Sequence, residues 1–289
     1  MKKLMVLGAL SAIAGGVLAA SSGIVGYNTF DLKQSQKTLK ANNFVTTSGA
    51  GIDLATIVPK DGGEVAESDG VRIWWWDTTK GNQYAVWSEY CYNPEDPNAD
   101  GDGYVVFEEP EDFVWTDTDE DYPRTITKPF SAGEGFFVQP TAARPSLTFS
   151  GAVLGSDNTE DPYRTVALTQ SQKKLIASPF PQAFDLSSLV PFDGTQVAES
   201  DGVKIWWWDT AKGNQYAVWS EYYYDPEDPN ADDDGYVVFE NPEDFVWTDT
   251  DEYYPKPVIK TFAAGEGFFV QPTAANPVLA FPNPFYKGE

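Results

Sequence analysis

Apolar and polar residues alternate along many short segments of the chain, and the clearest segment begins at position 71 with the residues VRIWWWD. The first set of alternate positions is apolar throughout and consists of Val71, Ile73 and Trp75. The second set begins with a cation and consists of Arg72, Trp74 and Trp76. Because successive side chains of a β-strand point to opposite faces, we predict that the first set packs in a core and the second points outward.

Short aromatic and β-branched segments, bounded by Gly, Pro, Asn and Asp, predict an all-β fold with about eight strands in the first half of the chain. The predicted strands are Tyr27–Leu32, Thr38–Val45, Val71–Trp76, Tyr84–Tyr90, Tyr104–Phe107, Thr125–Phe130, Gly135–Gln139 and Ser146–Ser150. Strands at this spacing are typical of a β-sandwich or a partly closed barrel.

The segment from Val65 to Tyr92 returns 132 residues later, at Val197 to Tyr224, with three differences in 28 positions. Those differences are Arg72/Lys204, Thr79/Ala211 and Cys91/Tyr223. Since the repeat is as long as a domain, we predict two tandem β-sandwich (or partly closed barrel) domains that arose by internal duplication. The predicted boundaries are 21–154 for the first domain, 155–162 for a linker and 163–289 for the second domain.

The first twenty residues have the pattern of a secretory signal peptide. Lys2 and Lys3 precede an apolar run that ends at Leu18, and small residues follow. A basic start, a short apolar stretch and a small-residue exit indicate export. We therefore expect a protein that is secreted or at the cell surface after cleavage, with no membrane span.

The chain is strongly acidic, with a net charge of −25, and it contains no histidine. Thirteen acids and no basic residue lie between Lys80 and Arg124, and the same is true between Lys212 and Lys256. These numbers make nucleic acid and anionic membranes poor partners and cations good ones. The absence of histidine excludes His-based triads and His zinc sites. The single cysteine, Cys91, rules out an internal disulfide and is interpreted as a packed small residue.

The segment DPNADGDGYVVFEE, which begins at Asp96, resembles an EF-hand-type calcium loop. Oxygen ligands occur at loop positions 1, 3, 5, 7 and 12, and glycine occurs at position 6. The predicted calcium ligands are Asn98, Asp100, Asp102, Tyr104 and Glu109, with Asn230, Asp232, Asp234, Tyr236 and Glu240 in the second copy. A strand follows the loop instead of a helix, and Asn241 stands at position 12 of the second copy, so we expect the first site to bind more tightly. A solvated hairpin loop is the alternative.

The outward residues of the tryptophan segment have two interpretations. Flat rings beside a cation are suited to stacking on sugars, and this ligand-binding set is Arg72, Trp74, Trp76, Lys204, Trp206 and Trp208. Alternatively, the rings pack across strands or against a neighbouring domain or chain. Trp87, Trp115 and their counterparts Trp219 and Trp247 are the aromatic residues available as cross-strand partners.

Three short motifs resemble those of uncharacterised exported bacterial tandem-repeat all-β proteins. They are IVGY after the leader, the paired ANNF and ASPF segments, and the GEGFFV segment that begins at Gly133 and recurs at Gly265. The resemblance covers nearly the whole mature chain. It implies export, repetition and the absence of an obvious active site, but it does not assign a chemistry.

We therefore expect a non-enzymatic, exported structural or adhesive protein of the cell surface or matrix, with calcium-stabilised domains and a capacity to self-associate. The first alternative is a pair of carbohydrate-binding modules that use the exposed tryptophans on a polysaccharide. The second alternative is a carboxylate-based glycoside hydrolase, for which Glu67, Asp69 or Glu134 would supply the acids. Nothing in the spacing selects those acids, so the sequence favours a protein without catalytic activity.

Overall fold

A computed structural model describes residues 25–77, 79–119, 121–154, 161–209, 211–273 and 277–287. The predicted signal peptide and most of the predicted linker lie outside these residues. The chain divides into two compact units, Met1–Asp157 and Asn158–Glu289, and its described part is all-β with small antiparallel sheets. No helix in the described part is long and apolar enough to cross a membrane.

The described strands of unit 1 are short, and two 3₁₀ helices interrupt them. The strands are β1 (Val25–Asp31), β2 (Thr38–Ala41), β3 (Phe44–Val45), β4 (Ile52–Asp53), β5 (Lys60–Asp61), β6 (Glu64–Val65), β7 (Val71–Asp77), β8 (Gly81–Ser88), β9 (Tyr90–Tyr92), β10 (Tyr104–Val106), β11 (Val114–Thr116), β12 (Pro129–Phe130), β13 (Gly135–Pro140) and β14 (Pro145–Val153). The helices are η1 (Leu54–Thr56) and η2 (Pro110–Asp112).

Unit 2 contains a corresponding series of described elements. The strands are β15 (Tyr163–Ala167), β16 (Lys174–Ile176), β17 (Phe184–Asp185), β18 (Val190–Asp193), β19 (Gln196–Val197), β20 (Val203–Asp209), β21 (Gly213–Ser220), β22 (Tyr222–Tyr224), β23 (Tyr236–Val238), β24 (Val246–Thr248), β25 (Thr261–Phe262), β26 (Phe268–Pro272) and β27 (Val278–Pro282). The helices are η3 (Leu186–Ser188) and η4 (Pro242–Asp244).

Each unit has two larger antiparallel sheets. In unit 1 the strand order is β11-β8-β7-β13-β2 in the first, which we call the tryptophan sheet, and β1-β14-β5-β6 in the second, where β3 also pairs with β14. The corresponding orders in unit 2 are β16-β26-β20-β21-β24 and β15-β27-β18-β19. The pairs β10-β9 and β12-β4 of unit 1 correspond to β22-β23 and β17-β25 of unit 2.

Aromatic rings from both larger sheets of unit 1 meet in its core. Phe149 of β14 stacks on Phe136 of β13 with the ring centroids 5.4 Å apart, and Phe130 lies 4.9 Å from Phe136. Trp75 meets Phe130 edge to face at 6.0 Å. Val71 and Ile73 are fully buried, and only 6% of Trp75 is exposed. The predicted inward parity of β7 is therefore confirmed, and β20 of unit 2 shows the same pattern.

The predicted single strand Thr38–Val45 is wrong, because a buried asparagine divides it into β2 and β3. The side-chain amide of Asn42 donates to the carbonyls of Phe44 (2.7 Å) and Phe130 (2.6 Å). Its oxygen accepts from the Phe44 amide at 3.0 Å. As a result, β2 pairs with the tryptophan sheet and β3 pairs with β14 of the other sheet.

Candidate functional site

The outer surface of the tryptophan sheet is the most distinctive surface of each unit. In an antiparallel pair, residues directly opposite each other share a face. Trp74 lies opposite Tyr84 of β8 and opposite Phe137 of β13, and Trp76 lies opposite Asn82. These five residues therefore form one surface, which we call the aromatic face.

The two outward tryptophans differ in how much solvent they meet. Trp76 is 59% exposed, whereas Trp74 is half-buried. Trp74 meets the edge of Tyr84 at 6.1 Å, and the ammonium of Lys37 lies 4.7 Å from the Trp74 ring and 4.5 Å from the Phe137 ring. These contacts cover much of Trp74, so Trp76 presents the open ring of the face.

Polar groups surround these rings. Arg72 lies opposite Gln139, and both side chains share the face with Trp74. The Arg72 guanidinium is 3.8 Å from the carboxylate of Asp69, and both groups are largely exposed. An exposed ion pair of this kind contributes little to stability, so Arg72 keeps its capacity to bind another group.

Unit 2 presents the same face with one charge-conserving substitution. Trp208 is 60% exposed, and Trp206 stacks on Phe269 at 5.3 Å. Lys173 lies 4.7 Å from the Trp206 ring, as Lys37 does over Trp74. Lys204 replaces Arg72, so each face retains a cation at this position.

The turn between β7 and β8 holds Trp76 at the end of its strand. The Asp77 carboxylate accepts hydrogen bonds from the Thr79 hydroxyl (2.6 Å), the Thr79 amide (2.8 Å) and the Lys80 amide (3.0 Å). These bonds stabilise the charged carboxylate and lower its pKa to about 2, with the Thr79 hydroxyl contributing most. Gly81 follows with a φ of 79°, a conformation that favours glycine. The conformation of this turn is therefore determined by the residues of the turn itself.

Trp87 and Trp115 pair across strands with each other and not with the outward rings, whose cross-strand partners include Tyr84 and Phe137. Trp87 and Trp115 face the core, and their rings meet at 5.5 Å. Their indole N–H groups donate to the carbonyls of Ala66 (3.0 Å) and Ile57 (2.8 Å). The parity of β8 places Trp87 inward and Tyr84 outward, and Trp219 and Trp247 repeat this arrangement at 5.3 Å.

The predicted calcium loop is closed by its own hydrogen bonds. The Asp100 carboxylate accepts from the amides of Asp102 (2.9 Å) and Tyr104 (2.9 Å). The Asn98 side-chain amide donates to the Asp96 carboxylate at 3.1 Å. In the second copy, Asp232 accepts from the amides of Asp234 and Tyr236, and Asp228 accepts from the Asn230 side chain.

A strand, and not a helix, follows the loop. β10 spans Tyr104–Val106, and Glu109 is an exposed residue just before η2. Position 12 therefore lies three residues beyond a strand, whereas an EF-hand has an exiting helix there. Among the described residues, no three acidic or cysteine side chains form a group that could hold a metal ion. Glu240 and Asn241 are also exposed.

A cluster of tyrosines packs beside this loop, and the sequence did not reveal it. Tyr92 meets Tyr104 at 5.5 Å and Tyr122 at 4.7 Å, both edge to face. The Tyr104 hydroxyl donates to the Asp121 carbonyl. Desolvation, followed by Tyr122 and Asp121, raises the pKa of Tyr104. The three rings therefore pack against one another beside the acidic loop, and Tyr122 remains exposed at the edge of the cluster.

The acids considered for hydrolysis have structural contacts. Glu134 forms an ion pair of 2.6 Å with Lys128 and accepts from the Ser131 amide at 3.0 Å. The Asp69 carboxylate faces Arg72 at 3.8 Å, whereas the contact of Glu67 is through its backbone carbonyl, which accepts from the Gly70 amide at 2.9 Å. Cys91 is buried, and desolvation raises the pKa of its thiol, which agrees with its interpretation as a packing residue.

Sequence reasoning identified the strand and its outward parity but missed the other members of the aromatic face. Lys37, Tyr84 and Phe137 come from three other segments, and only strand pairing brings them to Trp74. The alternation in NQYAV, which begins at Asn82, signals that Asn82 and Tyr84 share a side. No protein-family model, curated protein or solved structure matches the chain.

Proposed function

We propose that the protein is a non-enzymatic, exported adhesive protein of the cell surface or matrix whose two units bind polysaccharide through their aromatic faces. The observation that carries this proposal is the exposure of Trp76 and Trp208 at equivalent positions of two aromatic and polar surfaces. The proposal includes two sandwich domains related by internal duplication, since corresponding strands pair in the same order.

The chemistry of the face suits a pyranose ring. An exposed indole offers a flat apolar surface, and burying it against an equally flat sugar face removes both from water. Asn82, Gln139 and Arg72 supply hydrogen-bonding groups on the same surface, where sugar hydroxyls need partners. Two such faces on one chain increase apparent affinity for a polymer, because binding of the second becomes intramolecular.

Self-association into a structural assembly is the second candidate, and the same exposed rings favour it. Large exposed apolar groups on a soluble protein commonly mark an interaction surface. In this case the ring of Trp76 would meet another copy of the chain instead of a sugar. Light scattering on the mature chain over a range of concentrations distinguishes the two, since only this candidate predicts a mass above that of the monomer without polysaccharide.

Calcium binding stays a prediction for the acidic loops. Both amide hydrogen bonds to Asp100 end on the same carboxylate oxygen, which leaves the second oxygen as the candidate ligand for an ion. One of these bonds comes from the Tyr104 amide, so the loop and the tyrosine cluster are linked at Asp100. Calcium would then act on the stability of the loop, which lies beyond the strand end opposite the Trp76 turn.

Affinity electrophoresis through gels that contain one soluble polysaccharide each tests the binding proposal. We expect at least one polysaccharide to retard the mature chain, and we expect Trp76→Ala with Trp208→Ala to abolish the retardation. The matched control is Tyr122→Ala with Tyr254→Ala, which removes exposed aromatic rings outside the face. Retardation that survives loss of the two tryptophans, or no retardation by any polysaccharide, would contradict the proposal.

A further inference from the structure

The charge on the aromatic face is opposite to the charge of the rest of the molecule. In the described strands of the tryptophan sheet of unit 1, the outward side chains include the cation Arg72 and no acid. Lys37 adds a second cation directly above the rings. The same holds for Lys204 and Lys173 in unit 2. A chain with a net charge of −25 therefore keeps two cations on each of these two surfaces.

Lys37 is placed to reach a ligand that stacks on Trp76. Its ammonium lies above the rings of Trp74 and Phe137, so it projects over the surface instead of along its edge. Trp76 is two residues further along the same strand, a spacing of about 7 Å. A sugar stacked on Trp76 would thus place its neighbour in a polymer, or its own substituents, close to this ammonium.

The acidic loop begins at the end of β8 that is farther from Trp76. The hairpin places Asn82 beside Trp76, and the loop residues begin beyond Ser88 at the other end of β8. Six residues of strand span about 20 Å, so Trp76 lies more than twice the screening length of about 8 Å from the start of the loop. Arg72 lies opposite Val86 and is nearer to the loop, and its guanidinium also faces Asp69. Lys37 lies over Trp74, one position of the face closer to Trp76 than Arg72 is.

We infer that the polysaccharide is an acidic one, whose sugar carboxylates contact Lys37 and Arg72 while a pyranose ring stacks on Trp76. Lys173, Lys204 and Trp208 have the same roles in unit 2. This inference rests on the proposed function, because it names the substrate class of the same face. A charge-assisted hydrogen bond from an ammonium to a carboxylate is stronger than one to a neutral hydroxyl, which gives the face a reason to prefer acidic sugars.

The test compares polygalacturonate with its fully methyl-esterified form, which has the same backbone but no charge. We expect the mature chain to bind the charged polymer about tenfold more tightly, with an affinity that falls as salt rises. Lys37→Met with Lys173→Met should remove most of this preference, because the variant lacks the two ammoniums that would contact the sugar carboxylates. Lys60→Met with Lys287→Met removes the same number of charges elsewhere and should leave both affinities as they are.

The outcomes separate this inference from the proposed function. Equal binding of the two polymers, or a preference that survives loss of Lys37 and Lys173, would overturn the inference and leave polysaccharide binding in place. Failure to bind any polysaccharide would overturn both. Polyglutamate, a polyanion without pyranose rings, should not bind, and tight binding of it would show that charge alone attracts ligands.

Discussion

Trp75 and Trp76 are adjacent residues of β7, yet they meet opposite environments. Trp75 packs on Phe130 in the core and is 6% exposed, whereas Trp76 is 59% exposed on the aromatic face. The same side chain therefore stabilises the unit at one position and is available for binding at the next. The difference arises from the two-residue periodicity of a strand, because the two residues have the same chemistry and the same sequence neighbourhood.

The largest expected effect on stability comes from removing the buried ring, Trp75. Trp75→Ala removes a buried ring and should lower the free energy of unfolding of unit 1 by about 3–5 kcal/mol. Trp76→Ala removes an exposed ring and should change it by less than about 0.5 kcal/mol. Urea unfolding of each variant measures the difference. Equal losses would show that Trp76 packs in solution against something absent from unit 1.

The next largest effect on stability is expected for the ion pair between Lys128 and Glu134, which lies beside the core residue Phe130. Its side chains are 21% and 27% exposed, and Lys128 also lies over Phe130. A double-mutant cycle with Lys128→Met and Glu134→Gln should give a coupling energy of about 1–2 kcal/mol. The exposed Arg72–Asp69 pair serves as the control and should give about 0–0.5 kcal/mol. Similar couplings for both pairs would contradict this difference in environment.

The turn beside Trp76 differs between the units in one hydroxyl, which makes it a natural comparison. Asp77 accepts a bond from the Thr79 hydroxyl, whereas Ala211 has no hydroxyl to donate to Asp209. Hydrogen bonds lower the pKa of both carboxylates. In Asp77 the Thr79 hydroxyl contributes most, followed by the backbone amides, whereas in Asp209 the backbone amides contribute most. Carbon-detected NMR titration should show that Thr79→Ala raises the pKa of Asp77 from about 2.

The sign of the pH dependence follows from this shift. The folded pKa of Asp77 lies below its unfolded value of about 3.9, so its contribution to stability is complete above that value. The contribution is lost as pH falls from about 4 through the folded value of about 2. Thr79→Ala should move this loss to higher pH, and an unchanged titration would show that the hydroxyl does not contribute.

The smallest expected effect concerns the acidic loops. If the loops bind calcium as the spacing predicts, the first should bind more tightly, because Glu109 has the charge that Asn241 lacks. Calorimetric titration of calcium into the unmodified chain and into the Asp100→Asn variant measures which loop binds more tightly. No heat from either loop, with a melting temperature that EDTA does not change, would contradict the calcium prediction.

Much of the tryptophan strand was readable from sequence because its pattern is local. Alternation identified Val71 and Ile73 as core residues and Trp76 as outward. The break at Asn42 was not readable, because it depends on a hydrogen bond to Phe130, 88 positions away. The tyrosine cluster was missed for the same reason, since Tyr122 reaches Tyr92 through the fold and not through a sequence period.

The sequence by itself determined the all-β class, the repeated segments and the two sides of the tryptophan strand, since these depend on side-chain type and a period of two. The tertiary structure alone decided which residues meet on the aromatic face. Lys37, Tyr84 and Phe137 reach Trp74 through strand register, which is set by the packing of both sheets around the core. It also decided the shape of the acidic loops, in which the Asp100 carboxylate accepts hydrogen bonds from the backbone amides of Asp102 and Tyr104.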